Sequence, residues 1–148
     1  MYIPIIASAI TTLGAFILVY LSVIKEGYAT EATVIRERLD NFYIPFYRLY
    51  CSGFSSKIAL ADKSLEARSA FFDLMTKNIH YMDTVSQSLY PHFYLAFINL
   101  LEAENGNSDF DLSECRLELE KVFTNLCDSI FTEYKNLLKK AKLPVPKI

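Results

Sequence analysis

Two proline-centred aromatic segments, Tyr43-Ile44-Pro45-Phe46-Tyr47 and Tyr90-Pro91-His92-Phe93-Tyr94, concentrate the side chains best suited to recognising a ligand. Each segment is expected inside a helix, where a proline removes one backbone hydrogen bond and bends the axis. A bend opens one helix face. Tyr43, Tyr47, Tyr90, His92 and Tyr94, with Arg48 as the neighbouring cation, therefore form the candidate ligand or partner site. Phenols and imidazole both donate and accept hydrogen bonds, and the rings add apolar contact. The alternative is that both bends only fit large rings into a core.

No residue is assigned to catalysis. The chain has no glycine-rich phosphate loop, no Gly-x-Ser-x-Gly elbow, no His-Glu-x-x-His and no Cys-x-x-Cys. His80 and Asp83 stand about one helical turn apart, but two ligands are too few for zinc. Asn105, Asn107, Asp109 and Asp111 place oxygen donors on alternate residues, like the start of a calcium loop. The sixth position is then Phe110 and the twelfth Arg116, where the pattern requires Gly and a bidentate Glu. A solvated turn before a helix cap is expected, with no metal and no cofactor.

The element before these segments sets the compartment. Residues 1–24 carry no charged side chain, and Lys25 and Glu26 are the first ions. As a helix, that run reaches roughly 36 Å against a hydrocarbon core of about 30 Å. Residues 1–26 are accordingly read as a single transmembrane anchor, retained because no basic residue precedes the apolar stretch as a cleavable signal requires. Tyr2, Tyr20 and Tyr28 suit the two interfaces. Lys25, Arg36 and Arg38 all follow the span, which predicts a translocated N-terminus and a cytoplasmic C-terminal domain. Three cysteines, Cys51, Cys115 and Cys127, are an odd number for a disulfide framework and read as buried thiols in a reducing compartment. Ala7, Thr11 and Ala15 repeat every four residues and offer a small face for self-association of the anchor.

Residues 27–143 are enough for one domain with one core. Apolar residues recur at helical spacing, with no sustained two-residue alternation, so the domain is predicted to be all-α, a compact antiparallel bundle of about four helices. A break at Glu26–Ala29 precedes a helix capped by Thr30 that kinks or restarts at Pro45 and ends near Cys51. Gly53 and Ser55-Ser56 make a loop. A second helix spans about Ser64 to Tyr81, and a third starts at Asp83 or Thr84, where Thr84 and Gln87 have capping-box spacing. That helix carries Leu89, Phe93, Phe97, Leu100 and Leu101 and ends near Asn105-Gly106. The last begins at a second box, Asp111 with Glu114, and its stripe runs from Leu112 through Cys115, Leu119, Val122, Phe123, Leu126, Ile130, Tyr134 and Leu137 to Leu138. Residues 144–148 form a short tail.

Charge is unevenly placed although the net is only −2. Lys135, Lys139, Lys140, Lys142 and Lys147 meet no acid after Tyr134, giving +5, while residues 1–133 carry −7. Lys135, Lys139, Lys140 and Lys142 are candidate contacts to anionic headgroups. Nucleic acid is not an expected partner, because the acidic remainder repels phosphate. The bilayer and a protein are the expected partners. The leading expectation is a non-enzymatic module, held at the cytoplasmic face of the membrane, that binds a protein. Its architecture resembles small single-span proteins of bacteria and prophages, some of which act in exclusion or defence. The alternative is a small-molecule or lipid sensor with its ligand between the bent helices.

Overall fold

The computed structural model describes the backbone of residues 3–53 and 58–147, and side chains from residue 17 onward within those ranges. Every regular element among them is helical. They run α1 (Ile3–Arg38), a π-helical turn (Leu39–Tyr43), α2 (Ile44–Gly53), a 3₁₀ turn (Leu60–Asp62), α3 (Leu65–Lys77), a second 3₁₀ turn (Ile79–Tyr81), α4 (Thr84–Glu104) and α5 (Leu112–Lys140). The expected all-α class and helical bundle are present. By compactness the chain divides into two units, residues 1–36 and 37–148.

The first unit holds α1 up to Arg36, and the helix continues without a break through Glu26–Ala29. Gly27 costs only about 1 kcal/mol in a helix interior, too little to end it. Thr30 is interior and not a cap. Its hydroxyl donates to the Glu26 carbonyl at 2.9 Å, as the Thr33 hydroxyl does to Ala29 at 3.0 Å. Ile17, Leu18, Val19, Tyr20, Leu21 and Val23 are all more than half exposed. Successive helical residues are about 100° apart, so these side chains cover every side of the helix with apolar surface. Among the described residues no helix is long and apolar enough to cross a membrane. The side chains of residues 1–16, most of the expected anchor including Ala7, Thr11 and Ala15, lie outside the described residues, as does the Ser55-Ser56 loop.

In the second unit the α-helix restarts at Ile44, one residue before Pro45, as expected near that proline. Before the restart the chain widens into the π turn, which closes when the Ile44 amide donates to the Leu39 carbonyl. Pro45 offers no N–H to the Asn41 carbonyl and crowds it; one extra residue in the turn relieves that clash. α3 starts at Leu65, where the Ser64 hydroxyl accepts from the Ala67 amide at 3.3 Å. It stops at Lys77, short of the expected Tyr81. Asn78 leaves helical geometry (φ −119°, ψ 19°), and Ile79–Tyr81 tighten into the 3₁₀ turn.

Asp83 caps α4, its Oδ2 accepting from the amides of Val85 at 3.0 Å and Ser86 at 3.3 Å. The Thr84–Gln87 box does not form, because a carboxylate one residue earlier accepts those amides more strongly than a hydroxyl would. Gln87 donates to the Met82 carbonyl at 3.0 Å instead. Pro91 sits inside α4 on its solvent side without ending it. Asp111 caps α5 as expected, accepting from the Glu114 amide at 2.9 Å. From Leu119 to Leu138 the predicted stripe is buried except at half-buried Val122, and it is widened by Cys127 and Phe131; of its first members Leu112 is exposed and Cys115 half-buried. Cys127 is the buried thiol; Cys115 is half-buried and Cys51, in the last turn of α2, is exposed, all three free. The expectation of three buried thiols therefore holds at one position.

The core is a line of phenylalanines. Phe46 of α2 meets Phe71 of α3 edge-on at 5.6 Å, Phe71 meets Phe123 of α5 edge-on at 5.2 Å, and Phe123 meets Phe93 of α4 at 5.8 Å. None of the four is more than 2% exposed.

α4 and α5 end in the same way. After α4, the Gly106 amide donates to Ala103 and that of Asn107 to Glu102, with Gly106 at φ 87°. After α5, the Lys142 amide donates to Lys139 and that of Leu143 to Leu138, with Lys142 at φ 57°. This left-handed cap normally takes glycine, and a side chain there costs about 1 kcal/mol. Lys142→Gly should therefore raise stability by about 1 kcal/mol, read as a higher urea midpoint at unchanged slope. A lower midpoint would show that the lysine side chain contributes more than its backbone strain costs.

Candidate functional site

Arg38, the last residue of α1, is the hub of a polar network in the second unit. Its Nε donates to the Tyr81 carbonyl at 2.8 Å, Nη1 to the Glu133 carboxylate at 2.8 Å and Nη2 to the Tyr43 hydroxyl at 3.1 Å. The guanidinium carbon lies 5.4 Å from the centre of the Tyr43 ring. The Tyr43 hydroxyl also accepts from the Asp83 amide at 3.2 Å. Burial pushes the Tyr43 phenol up to about 12; the Arg38 charge opposes this, while Asp83 and Glu133 reinforce it. Arg38 thereby ties together the π turn, the turn before α4, and α5.

Beside this network, a cleft of about 480 Å³ lies between the start of α4 and α5, lined by Asp83, Val85, Asp128, Ser129, Thr132, Glu133 and Asn136. The hydroxyls of Ser86 and Ser129 stand 2.9 Å apart. Asp83 Oδ1 is buried without a hydrogen-bond partner. The lining suits a hydrogen-bond donor, and it offers no nucleophile paired with a base. Among the described residues no group of three or more His, Cys, Asp or Glu side chains is placed to hold a metal ion. Asp83 and Asp111, both considered as metal ligands from their spacing, are helix caps. In the loop before α5, Asn107 Oδ1 accepts from the Asp109 amide at 3.1 Å, which makes it a hydrogen-bonded turn.

The two aromatic segments pack in different surroundings. Tyr43 is buried and stacks on Tyr134 at 6.4 Å; Tyr47 is half-buried, 5.5 Å from Tyr134 and edge-on to Phe131. A hydrogen bond with Cys51 raises the Tyr47 phenol. Tyr90 is buried, with its hydroxyl 2.6 Å from that of Thr76, and Tyr94 lies 5.3 Å from Phe72. Arg48 and His92 are exposed. Three clefts among the described residues, of about 480, 360 and 280 Å³, are lined by none of these six side chains. Of the lysines, Lys139, Lys140 and Lys142 are exposed and Lys135 is half-buried.

Arg68 of α3 is 4% exposed and donates through Nη2 to Glu104 at 2.7 Å, while its Nε and Nη1 find no partner. Glu104 is the more accessible partner, 27% exposed. Arg38 and Arg68 had no local signal, because their carboxylate partners lie 95 and 36 positions along the chain.

No family model matches this chain, and no characterised protein or solved structure does either.

Two predictions follow from these networks. Tyr43→Phe leaves the Asp83 amide and one Arg38 nitrogen short of an acceptor and should cost about 1–3 kcal/mol. Because the phenol titrates near 10 when unfolded and about 12 when folded, its contribution is complete below pH 10 and lost as pH rises towards 12. The wild type should lose more stability than Tyr43→Phe across that window, measured by denaturant titration at each pH. At the other arginine, Glu104→Ala strands a buried cation and should cost about 3–5 kcal/mol, whereas Arg68→Met removes two unpaired nitrogens and should cost under about 1 kcal/mol. Equal losses would mean that Arg68 is satisfied in solution.

Proposed function

We propose that this chain is a single-pass membrane protein whose helical bundle, on the cytoplasmic side, binds a protein partner. The observation that carries the anchor is the uniform apolar exposure of Ile17 to Val23 on α1, apart from Ser22 and continuous with a charge-free sequence back to residue 1. A helix that is apolar all round is stable only where apolar surroundings cover it, and for an uncharged run of this length the bilayer is that surrounding. The 36 residues of α1 extend roughly 54 Å, enough for a span of about 30 Å with several turns beyond it. Lys25, Arg36 and Arg38 follow the span, which favours a cytoplasmic bundle.

Packing supports a protein partner over an enclosed ligand. Tyr43, at the centre of the candidate ligand site, is 1% exposed and covered by Arg38 and Tyr134. On the outside of α4, Tyr94 and Leu95 remain 41% and 58% exposed. Exposed apolar neighbours suit a flat protein contact better than a buried small molecule.

One fractionation tests both parts. The wild type should stay in the membrane pellet through an alkaline carbonate wash. Leu13→Arg/Ile17→Arg should release it, since each arginine costs about 3 kcal/mol near the middle of a span. Tyr94→Asp/Leu95→Asp should stay in the pellet but lose proteins that co-purify with the wild type. Release of the wild type by carbonate overturns the anchor, and an unchanged set of co-purifying proteins overturns the α4 contact.

A further inference from the structure

We propose that the last turn of α5 and the segment after it form a docking point for an anionic membrane surface, in which lysines meet headgroups and two apolar side chains enter between them. Lys139, Lys140, Lys142 and Lys147 are exposed, and no acid follows Glu133 in the chain. Helix polarity explains only part of this cluster. Cations in a last turn oppose the partial negative charge of the free carbonyls, which accounts for Lys139 and Lys140. Lys147 lies beyond the reach of that effect. Lys142 occupies a left-handed position that glycine would hold with less strain, so a cation is kept where the backbone disfavours it.

Apolar exposure at the same place points to lipid. Leu143 is 47% exposed and Val145 38%. Each precedes a proline, Pro144 and Pro146, which restricts it to extended backbone and holds the strip Leu143–Lys147 in a narrow range of shapes. A preorganised strip loses little conformational entropy on contact. Lysines flanking exposed aliphatic side chains are the composition by which peripheral segments seat on bilayers: charge draws them to anionic headgroups, and apolar side chains bury at the acyl boundary. Residues 1–133 carry −7, so attraction is confined to this end. A nucleic acid would need cationic surface over a longer path than these few residues supply.

The contact extends the anchored reading by placing a second site on the same bilayer, and the test separates the two. The full chain is reconstituted in nanodiscs of phosphatidylcholine alone and of phosphatidylcholine with phosphatidylserine. Amine acylation is then read at each lysine by mass spectrometry, with the exposed Lys77 and Lys121 as references. Lys139, Lys140, Lys142 and Lys147 should be protected only in the discs with phosphatidylserine, and raised salt should remove the protection because it shortens the screening length. Lys142→Gly/Lys147→Gln keeps the last helical turn intact and should weaken the contact at Lys139 and Lys140 by about fivefold for each lysine removed. Equal acylation in both kinds of disc, or protection in both, overturns the proposal. If the chain stays in both discs with equal acylation, the anchor stands and the contact fails. If it holds only to anionic discs and washes from neutral ones, the anchor fails and the contact stands.

Discussion

Four phenylalanines, one from each helix of the bundle, touch in series from Phe46 through Phe71 and Phe123 to Phe93. An edge-on contact, as at Phe46–Phe71 and Phe71–Phe123, requires the hydrogen rim of one ring to face the π surface of the next, so turning one of these helices a few tens of degrees breaks it. These two contacts therefore set the register of α2, α3 and α5, and the tilted Phe93–Phe123 contact packs α4 against them. A small domain has a high ratio of surface to interior, and large rings give it more buried area per residue than aliphatic side chains would. The absence of tryptophan and the eleven phenylalanines fit that requirement, because a phenyl ring brings no polar atom to be satisfied inside.

The sequence discloses those parts of the fold that local chemistry controls. The α5 stripe is legible because every third or fourth residue from Leu119 to Leu138 is apolar, and one helix face is buried for that whole length. Ser64 and Asp111 are legible as helix starts because a short oxygen-bearing side chain before an apolar run satisfies amides that nothing else reaches. The errors arise where two local rules compete. Asp83 and Thr84 are both good caps, and the carboxylate wins. Gly27 reads as a break but costs too little to be one, while the restart near Pro45 comes after a wider turn. Distance hides the rest: the groups of the polar network are legible as types, yet nothing near Arg38 in sequence indicates Tyr81, 43 residues away, or Glu133, 95 residues away. What packs on Tyr43 and on Tyr90 is likewise set by other helices, Tyr134 of α5 for one and Thr76 of α3 for the other.

Polar side chains do a different job from the rings. Arg38, Arg68 and Glu120 each join segments distant in sequence, to Glu133, to Glu104 and to the Leu60 amide respectively. Directional bonds of this kind specify which segments meet, while their net contribution is reduced by the water they displace. The two arginines differ in how far they are satisfied. Arg38 spends all three of its nitrogens on named acceptors, whereas Arg68 leaves two without partners in a nearly closed interior. Arg38 is thus a joint, and Arg68 is a place where the interior is under-satisfied.

Solvent preference divides the chain more sharply than helix content does. In the second unit apolar residues turn inward, and Asp83, Ser64 and Asp111 finish the helix ends with hydrogen bonds that water would otherwise supply. Along α1 the reverse holds: Ile17, Leu18, Val19, Tyr20, Leu21 and Val23 expose apolar surface on all sides of the helix. A continuous helix satisfies its own backbone bonds, so hydrocarbon could surround it without stranding an amide or a carbonyl. The two patterns differ accordingly: the second unit has caps, ion pairs and an inward-facing stripe, and residues 17–23 have outward apolar side chains along an unbroken helix.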